Sequence, residues 1–168
     1  MDEMNHDELP DDYAICIAGH GSRDKEGIQE FLTLSSKFKE REPRRIVECG
    51  FLEFAKPTIG EAINKCVQDG IKNIVVIPGV LMAAGHAKND MPSEVLSMSK
   101  KYPDINIQYG RPLEVHPKVV KVCSDRIESA EKSSSQQIQR TDTLLMTVGR
   151  GSSDPDSNSN ITKISRML

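Results

Sequence analysis

The feature that most constrains the fold is an alternation of short apolar runs with longer amphipathic segments. Tyr13 to Ala18 is a continuous apolar run that ends at Gly19, and such runs are typical of strands covered on both faces. Asn73 to Pro78 contains a similar run rich in β-branched residues. The clearest helical stripe consists of Ile59, Ala62, Ile63, Cys66 and Val67. Strands that alternate with helices predict an α/β protein with a parallel sheet.

The order of these segments predicts four strand–helix units. Strands are expected over residues 13–18, 45–51, 73–78 and 105–109. Helices are expected over residues 24–38, 59–67, 90–101 and 119–130, with a loop over residues 79–88. Asp24 and Asp90 are the residue type that caps helix N-termini, and each precedes one of these helices. Right-handed crossovers then favour the flavodoxin-like strand order 2-1-3-4, with helices on both faces.

Composition excludes several classes of function. The chain has 168 residues and a formal net charge of −3, so it lacks the excess of positive charge that is typical of proteins that bind nucleic acid. No apolar run approaches the roughly 20 residues of a membrane helix, and residues 1–12 form an acidic, polar tail without a secretory pattern. The cysteines lack metal-finger or redox spacing, so we expect reduced thiols and a cytoplasmic protein. The four cysteines are Cys16, Cys49, Cys66 and Cys123.

An internal repeat follows the first module. An offset of 130 residues aligns the turn that begins at Gly19 with the turn that begins at Gly149. The same offset aligns Gly21 with Gly151, Ser22 with Ser152, Asp24 with Asp154 and Phe31 with Ile161. We therefore expect a module over residues 13–132, a polar linker over 133–141 and the start of a second module over 142–168. That second copy is predicted to begin with a strand over residues 143–148.

Three polar side chains are expected to meet at one edge of the sheet. His20 follows the first strand, Glu53 the second and His86 the third. Ligands of doubly wound sheets bind outside the carboxyl ends of the strands, where strands 1 and 3 are neighbours. Two imidazoles suit an open site for a transition metal, and a carboxylate can accept protons. The alternatives are surface or capping histidines and, for Glu53, a charge at a helix N-terminus.

The motifs, taken in order, resemble the CbiX-type sirohydrochlorin cobaltochelatases, which are small chelatases that do not use ATP. The resemblance covers residues 13 to about 132 and is carried by four segments, and residues 148–155 look like the start of the second half of the two-module form. The segments are Ala18-Gly-His-Gly-Ser-Arg23, Phe51-Leu-Glu53 with Pro57, Ile77 to His86 with Asp90 and Pro92, and Arg111-Pro-Leu113 with His116-Pro117. The resemblance implies a chelatase-like, flavodoxin-related fold that inserts a divalent metal into a tetrapyrrole.

The resemblance also implies roles for individual residues. His20 and His86 would bind the metal, which is a substrate (cobalt, or alternatively iron or nickel), and Glu53 or a histidine would accept pyrrole protons. The carboxylates of sirohydrochlorin need donors, for which Ser22, Arg23 and Lys88 are candidates. No organic cofactor, nucleic acid or membrane is implied, and a homodimer or a pairing with a second module is expected.

Three alternatives to the cobalt enzyme remain open. The first is a ferrochelatase for sirohaem, and the second is a metal- or tetrapyrrole-binding module without turnover. The third is a phosphatase with a nucleophilic His20, which is disfavoured because Gly19 stands where that chemistry needs an arginine.

Overall fold

The computed structural model describes residues 9–136 and 138–168. Four strands are formed by β1 (Tyr13–Gly19), β2 (Val47–Phe51), β3 (Asn73–Pro78) and β4 (Asn106–Tyr109). Five α-helices are formed by α1 (Lys25–Arg41), α2 (Ile59–Gln68), α3 (Met91–Lys101), α4 (Pro117–Ser133) and α5 (Pro155–Met167). A π-helical turn, His86–Asp90, precedes α3, and a 3₁₀ turn, Arg140–Asp142, follows α4.

The four strands form one parallel sheet in the order β2-β1-β3-β4. In the central pair of strands Cys16 is in register with Val76, and on the other side of β1 Ile17 is in register with Cys49. This arrangement confirms the α/β fold and the strand order predicted from the sequence. It brings the carboxyl ends of β1, β2 and β3 to the same edge.

The two faces of the sheet are covered by different helices. On one face, Ile63 of α2 and Met91 of α3 are fully buried against Ala14 and Ile74. On the other face, Phe31 of α1 packs against a buried cluster. That cluster consists of Ile15, Ile17 and Val47. The alternating residues of β1 therefore face opposite layers, which confirms helices on both faces of the sheet.

The cysteines of this core are free thiols, as expected. Cys16 in β1 and Cys66 in α2 are fully buried. Burial raises the pKa of the Cys66 thiol to about 11, and it raises the pKa of Cys16 still further. Both side chains therefore stay protonated at neutral pH and act as small apolar residues.

Of the two helix caps predicted from the sequence, Asp24 is confirmed and Asp90 is not. The side chain of Asp24 accepts a hydrogen bond from the backbone N–H of Glu26, and Thr58 forms a capping box with Glu61. Asp90, predicted to cap α3, has helical backbone angles and no capping bond among the described residues. That prediction is wrong because the π-helical turn already begins at His86, inside the predicted loop, and runs directly into α3.

The chain divides into two compact units. The first comprises residues up to 80 together with residues 85–112, and it contains the sheet with α1, α2 and α3. The second comprises residues 81–84 and 113–168 and contains α4 and α5. In the second unit the side chain of His116 caps α4 by accepting from the N–H of Lys118. The predicted module boundaries, 13–132, 133–141 and 142–168, stay a prediction.

The strand predicted over residues 143–148 is absent from the structure. Leu144 is 86% exposed and Met146 is 75% exposed, so the apolar run is uncovered. The prediction is wrong here because a strand requires a neighbouring strand to accept its hydrogen bonds, which an apolar pattern alone cannot supply. No helix within residues 9–136 and 138–168 has the length and apolarity required to cross a membrane.

Candidate metal centre

Backbone hydrogen bonds join the turns that follow β1 and β2. The N–H of Leu52 donates to the carbonyl of Gly19 (2.9 Å), and the N–H of Glu53 donates to the carbonyl of His20 (3.1 Å). Gly21 has a φ of 92°, and a Cβ at this position would overlap the carbonyl oxygen of Glu53. Only glycine therefore allows the two turns to approach closely enough to hold His20 beside Glu53.

A different device positions His86 after β3. His86 is the first residue of the π-helical turn, whose Ala87 is buried. The hydroxyl of Tyr109, the last residue of β4, donates to the carbonyl of Ala87 (2.8 Å). Burial raises the pKa of Tyr109, so this hydroxyl keeps its proton. The turn that carries His86 is thus attached to the sheet.

His20, Glu53 and His86 converge at the carboxyl edge of the sheet. One candidate ligand atom of each residue lies within 4.8 Å of those of the other two. Nε2 of His20 is 3.3 Å from Oε1 of Glu53, and the two imidazole rings meet edge to face with 4.4 Å between their centroids. The side chains are partly exposed, 37% for His20 and 41% for Glu53. The structure therefore brings together the three residues that the sequence placed at this edge.

Hydrogen bonds determine which ring nitrogens can bind a cation. Nδ1 of His20 lies 3.0 Å from the carbonyl oxygen of Gly21, and Nδ1 of His86 lies 2.8 Å from a carboxylate oxygen of Asp90. Carbonyl and carboxylate oxygens only accept, so both Nδ1 atoms carry hydrogens. In each neutral imidazole the electron pair is then on Nε2. Two Nε2 atoms and a carboxylate form an open ligand set that suits a divalent transition metal.

Asp90, predicted to be a helix cap, instead pairs with a candidate metal ligand. Its carboxylate is four residues from His86 in the π-helical turn and pairs with that imidazole. A second carboxylate that orients a metal-binding histidine is a common arrangement. The spacing His-x-x-x-Asp was a possible signal for this pairing, because residues four apart share a helix face.

The three candidate substrate-binding residues have different surroundings. The hydroxyl oxygen of Ser22 accepts from the backbone N–H of Asp24 (3.0 Å), which leaves its own hydrogen available to a ligand. Arg23 is exposed, and its guanidinium lies over the ring of Phe54. Lys88 is exposed within the π-helical turn. All three belong to the turns that carry His20 and His86.

Comparison with known proteins identifies the family. The CbiX family model matches residues 14–130. The chain belongs to the CbiX family. A sirohydrochlorin cobaltochelatase of Priestia megaterium is 38% identical over 156 residues, which cover 92% of this chain and 50% of that relative. A sirohydrochlorin ferrochelatase of the same organism is 32% identical and is matched over 56% of its length.

Two solved structures agree with this assignment. The structure of SirB from Bacillus subtilis with Fe³⁺ superimposes with a TM-score of 0.78 at 33% identity, covering 93% of this chain and 60% of that one. The sirohydrochlorin chelatase SirB from Bacillus subtilis subspecies spizizenii in complex with cobalt gives a TM-score of 0.76 at 32% identity. This CbiX chain spans about half the length of the curated relatives that it matches most extensively.

Proposed function

We propose that this CbiX chain takes part in inserting a divalent metal ion, cobalt, into sirohydrochlorin. The observation that carries the proposal is the convergence of His20, Glu53 and His86 within 4.8 Å. With both Nδ1 hydrogens engaged elsewhere, the Nε2 atoms of the two histidines and the carboxylate of Glu53 are the atoms available to a cation. A cation bound between these atoms relieves the repulsion between the nitrogen lone pairs and the carboxylate charge.

The open ligand set suits transient holding of a metal that is a substrate. Structural metals usually have four closed protein ligands, whereas three partly exposed ligands leave positions free. Pyrrole nitrogens can then replace the protein ligands one at a time. Insertion releases two N–H protons from the macrocycle for each divalent metal that enters. Glu53, with its carboxylate 3.3 Å from His20, is the proposed acceptor of the first of them.

The substrate's carboxylates require donors around this centre. Ser22, Arg23 and Lys88 are the proposed donors, since all lie in the turns that carry His20 and His86. The guanidinium of Arg23 suits a bidentate contact with a carboxylate, and the hydroxyl of Ser22 can donate one hydrogen bond. No organic cofactor enters the proposal. Pairing with a second copy stays a prediction.

A second candidate function is the insertion of iron into the same macrocycle. The observation that favours it is the similarity to ferrochelatases as well as to a cobaltochelatase. Imidazole and carboxylate ligands accept both metals, so the ligand set fits either one, and nickel as well.

The experiment is an anaerobic insertion assay with the purified chain. Sirohydrochlorin is mixed with cobalt or with iron, and the absorption change is compared with a blank that lacks protein. We expect acceleration with cobalt above that with iron. His20→Ala and His86→Ala are expected to abolish it. His116→Asn is the matched control, because it removes an imidazole but keeps a side chain that caps α4.

Metal binding is measured separately on the same variants. We expect Asp90→Ala to weaken cobalt binding by roughly tenfold, which is the usual effect of losing a partner that orients a histidine ligand. Faster insertion with iron than with cobalt would replace the cobalt assignment by the second candidate. Cobalt binding without any acceleration would contradict an insertion activity of this chain and indicate a binding module. Unchanged insertion in His20→Ala and His86→Ala would refute the metal site.

A further inference from the structure

Phe54 is in a conformation that needs an explanation. It follows Glu53 directly and has a φ of 63°, in the left-handed region that favours glycine. Phe54 is also 50% exposed, so burial in the core does not compensate for the backbone strain. Bulky residues with strained backbone angles occur most often at functional sites, where the surrounding structure maintains the strain.

The surroundings of this ring indicate the purpose. Its centroid is 6.2 Å from that of the His20 imidazole, and the two planes are tilted by 42°. The guanidinium carbon of Arg23 lies 4.9 Å from the same ring centroid. Arg23 is therefore held by a cation–π contact while it remains exposed. An apolar π surface and a guanidinium thus lie together beside His20, one of the candidate metal ligands.

We propose that Phe54 and Arg23 form one contact surface for a tetrapyrrole, which deepens the proposed function and rests on it. The Phe54 ring packs against the macrocycle, and the Arg23 guanidinium binds a carboxylate at its rim. An aromatic face suits a broad π system, and a planar guanidinium suits a carboxylate. The stacked position limits the rotamers of Arg23, so less side-chain freedom is lost when a ligand binds.

The test uses Phe54→Gly, because glycine removes the ring and relieves the positive φ at once. We expect this variant to fold as well as the wild type, and to bind sirohydrochlorin roughly fivefold more weakly. Its cobalt affinity in the absence of tetrapyrrole is expected to stay unchanged, since the three metal ligands remain. The control is Glu114→Gly, which changes the other described non-glycine residue with a positive φ, 44°.

Arg23→Gln tests the second half of the surface with two ligands. We expect roughly tenfold weaker binding of sirohydrochlorin and no change for its methyl ester, which lacks the charged carboxylates. The control is Arg44→Gln, which removes another exposed arginine, one paired with Asp11 at the other end of the sheet. Binding is followed anaerobically by absorption and fluorescence.

The outcomes separate this inference from the proposed function. If the wild type binds sirohydrochlorin and the variants Phe54→Gly and Arg23→Gln bind it equally well, the proposed contact surface is wrong. That result would not affect the candidate metal centre. A wild-type chain that binds cobalt but no sirohydrochlorin would overturn the tetrapyrrole assignment itself. Equal losses in Arg23→Gln for the acid and its methyl ester would contradict the carboxylate contact.

Discussion

The turn after β1 and the turn that begins at Gly149 have the same local structure in different surroundings. Gly21 and Gly151 both have positive φ, 92° and 80°. The hydroxyl oxygen of Ser22 accepts from the N–H of Asp24 at 3.0 Å, and the equivalent pair in the second copy is separated by 3.1 Å. Asp24 and Asp154 then cap α1 and α5. Four shared residues (Gly, Gly, Ser and Asp) within six positions thus specify this turn twice.

The strands before these turns differ completely. β1 pairs with β2 and β3, and it is buried from Ala14 to Gly19. The corresponding residues 144–149 are exposed and form no strand. Cys16 is 0% exposed and its counterpart Met146 is 75% exposed. A turn and a helix cap are therefore encoded locally, whereas a strand depends on its neighbours.

The chemistry of the two turns differs as well. The first carries His20, which meets Glu53 and His86, and the second carries Arg150 in its place. Among the described residues, the group compatible with a metal is the one that contains His20. The same backbone turn can therefore carry a candidate metal ligand or an arginine. Whether it contributes to a metal site depends on that side chain and on the residues that the neighbouring strands place beside it.

The largest expected effect comes from exchanging the residues that distinguish the turns. His20→Arg is expected to weaken cobalt binding by about a hundredfold or more, because it removes one of three ligands and adds a positive charge. Arg150→His is expected to add no second cobalt ion, because among the described residues the group that could hold a metal is the one around His20. Calorimetric titration with cobalt measures both. A second bound equivalent in Arg150→His would break the distinction between the turns.

A thiol introduced into residues 143–148 tests whether this segment is less covered than β1. Met146→Cys creates an exposed counterpart of Cys16. We expect iodoacetamide to modify residue 146 at least about a hundredfold faster than Cys16, because burial blocks access and raises the pKa of Cys16. Mass spectrometry of peptides from the folded protein measures the rates. Comparable rates would mean that residues 143–148 are covered in solution.

A smaller effect is expected from adding one methyl group to each turn. A Cβ at Gly19 would stand 2.7 Å from the ring of Phe31, which is already packed between Gly19 and Gly79. A Cβ at Gly149 would stand 3.2 Å from Ile161. Gly19→Ala is therefore expected to lower the free energy of unfolding by about 1–3 kcal/mol, and Gly149→Ala by less than about 0.5 kcal/mol. Urea denaturation followed by circular dichroism measures both, and equal losses would contradict the difference in packing.

Much of the first unit was predictable from sequence because its signals are local and agree with one another. The apolar run of Asn73–Pro78 predicted β3 with its observed bounds. The stripe that begins at Ile59 predicted α2, which closes shortly before Gly70. The predicted strands at 45–51 and 105–109 began two residues and one residue too early, because the apolar Ile46 and Ile105 extend the strand pattern beyond the paired residues. The predicted strand order placed His20, Glu53 and His86, which follow the first three strands, at one edge.

The sequence by itself determined the alternation of strands and helices, the repeated turn and the three candidate ligands, because periodicity, caps and turn residues act within a few positions. The tertiary structure decided whether residues 143–148 form a strand, since that depends on hydrogen bonds from another chain segment. It also decided that Asp90 pairs with His86, which required the π-helical turn to begin at His86. Finally, it decided the strained position of Phe54, because the approach of Gly21 to Glu53 joins residues that are distant in sequence.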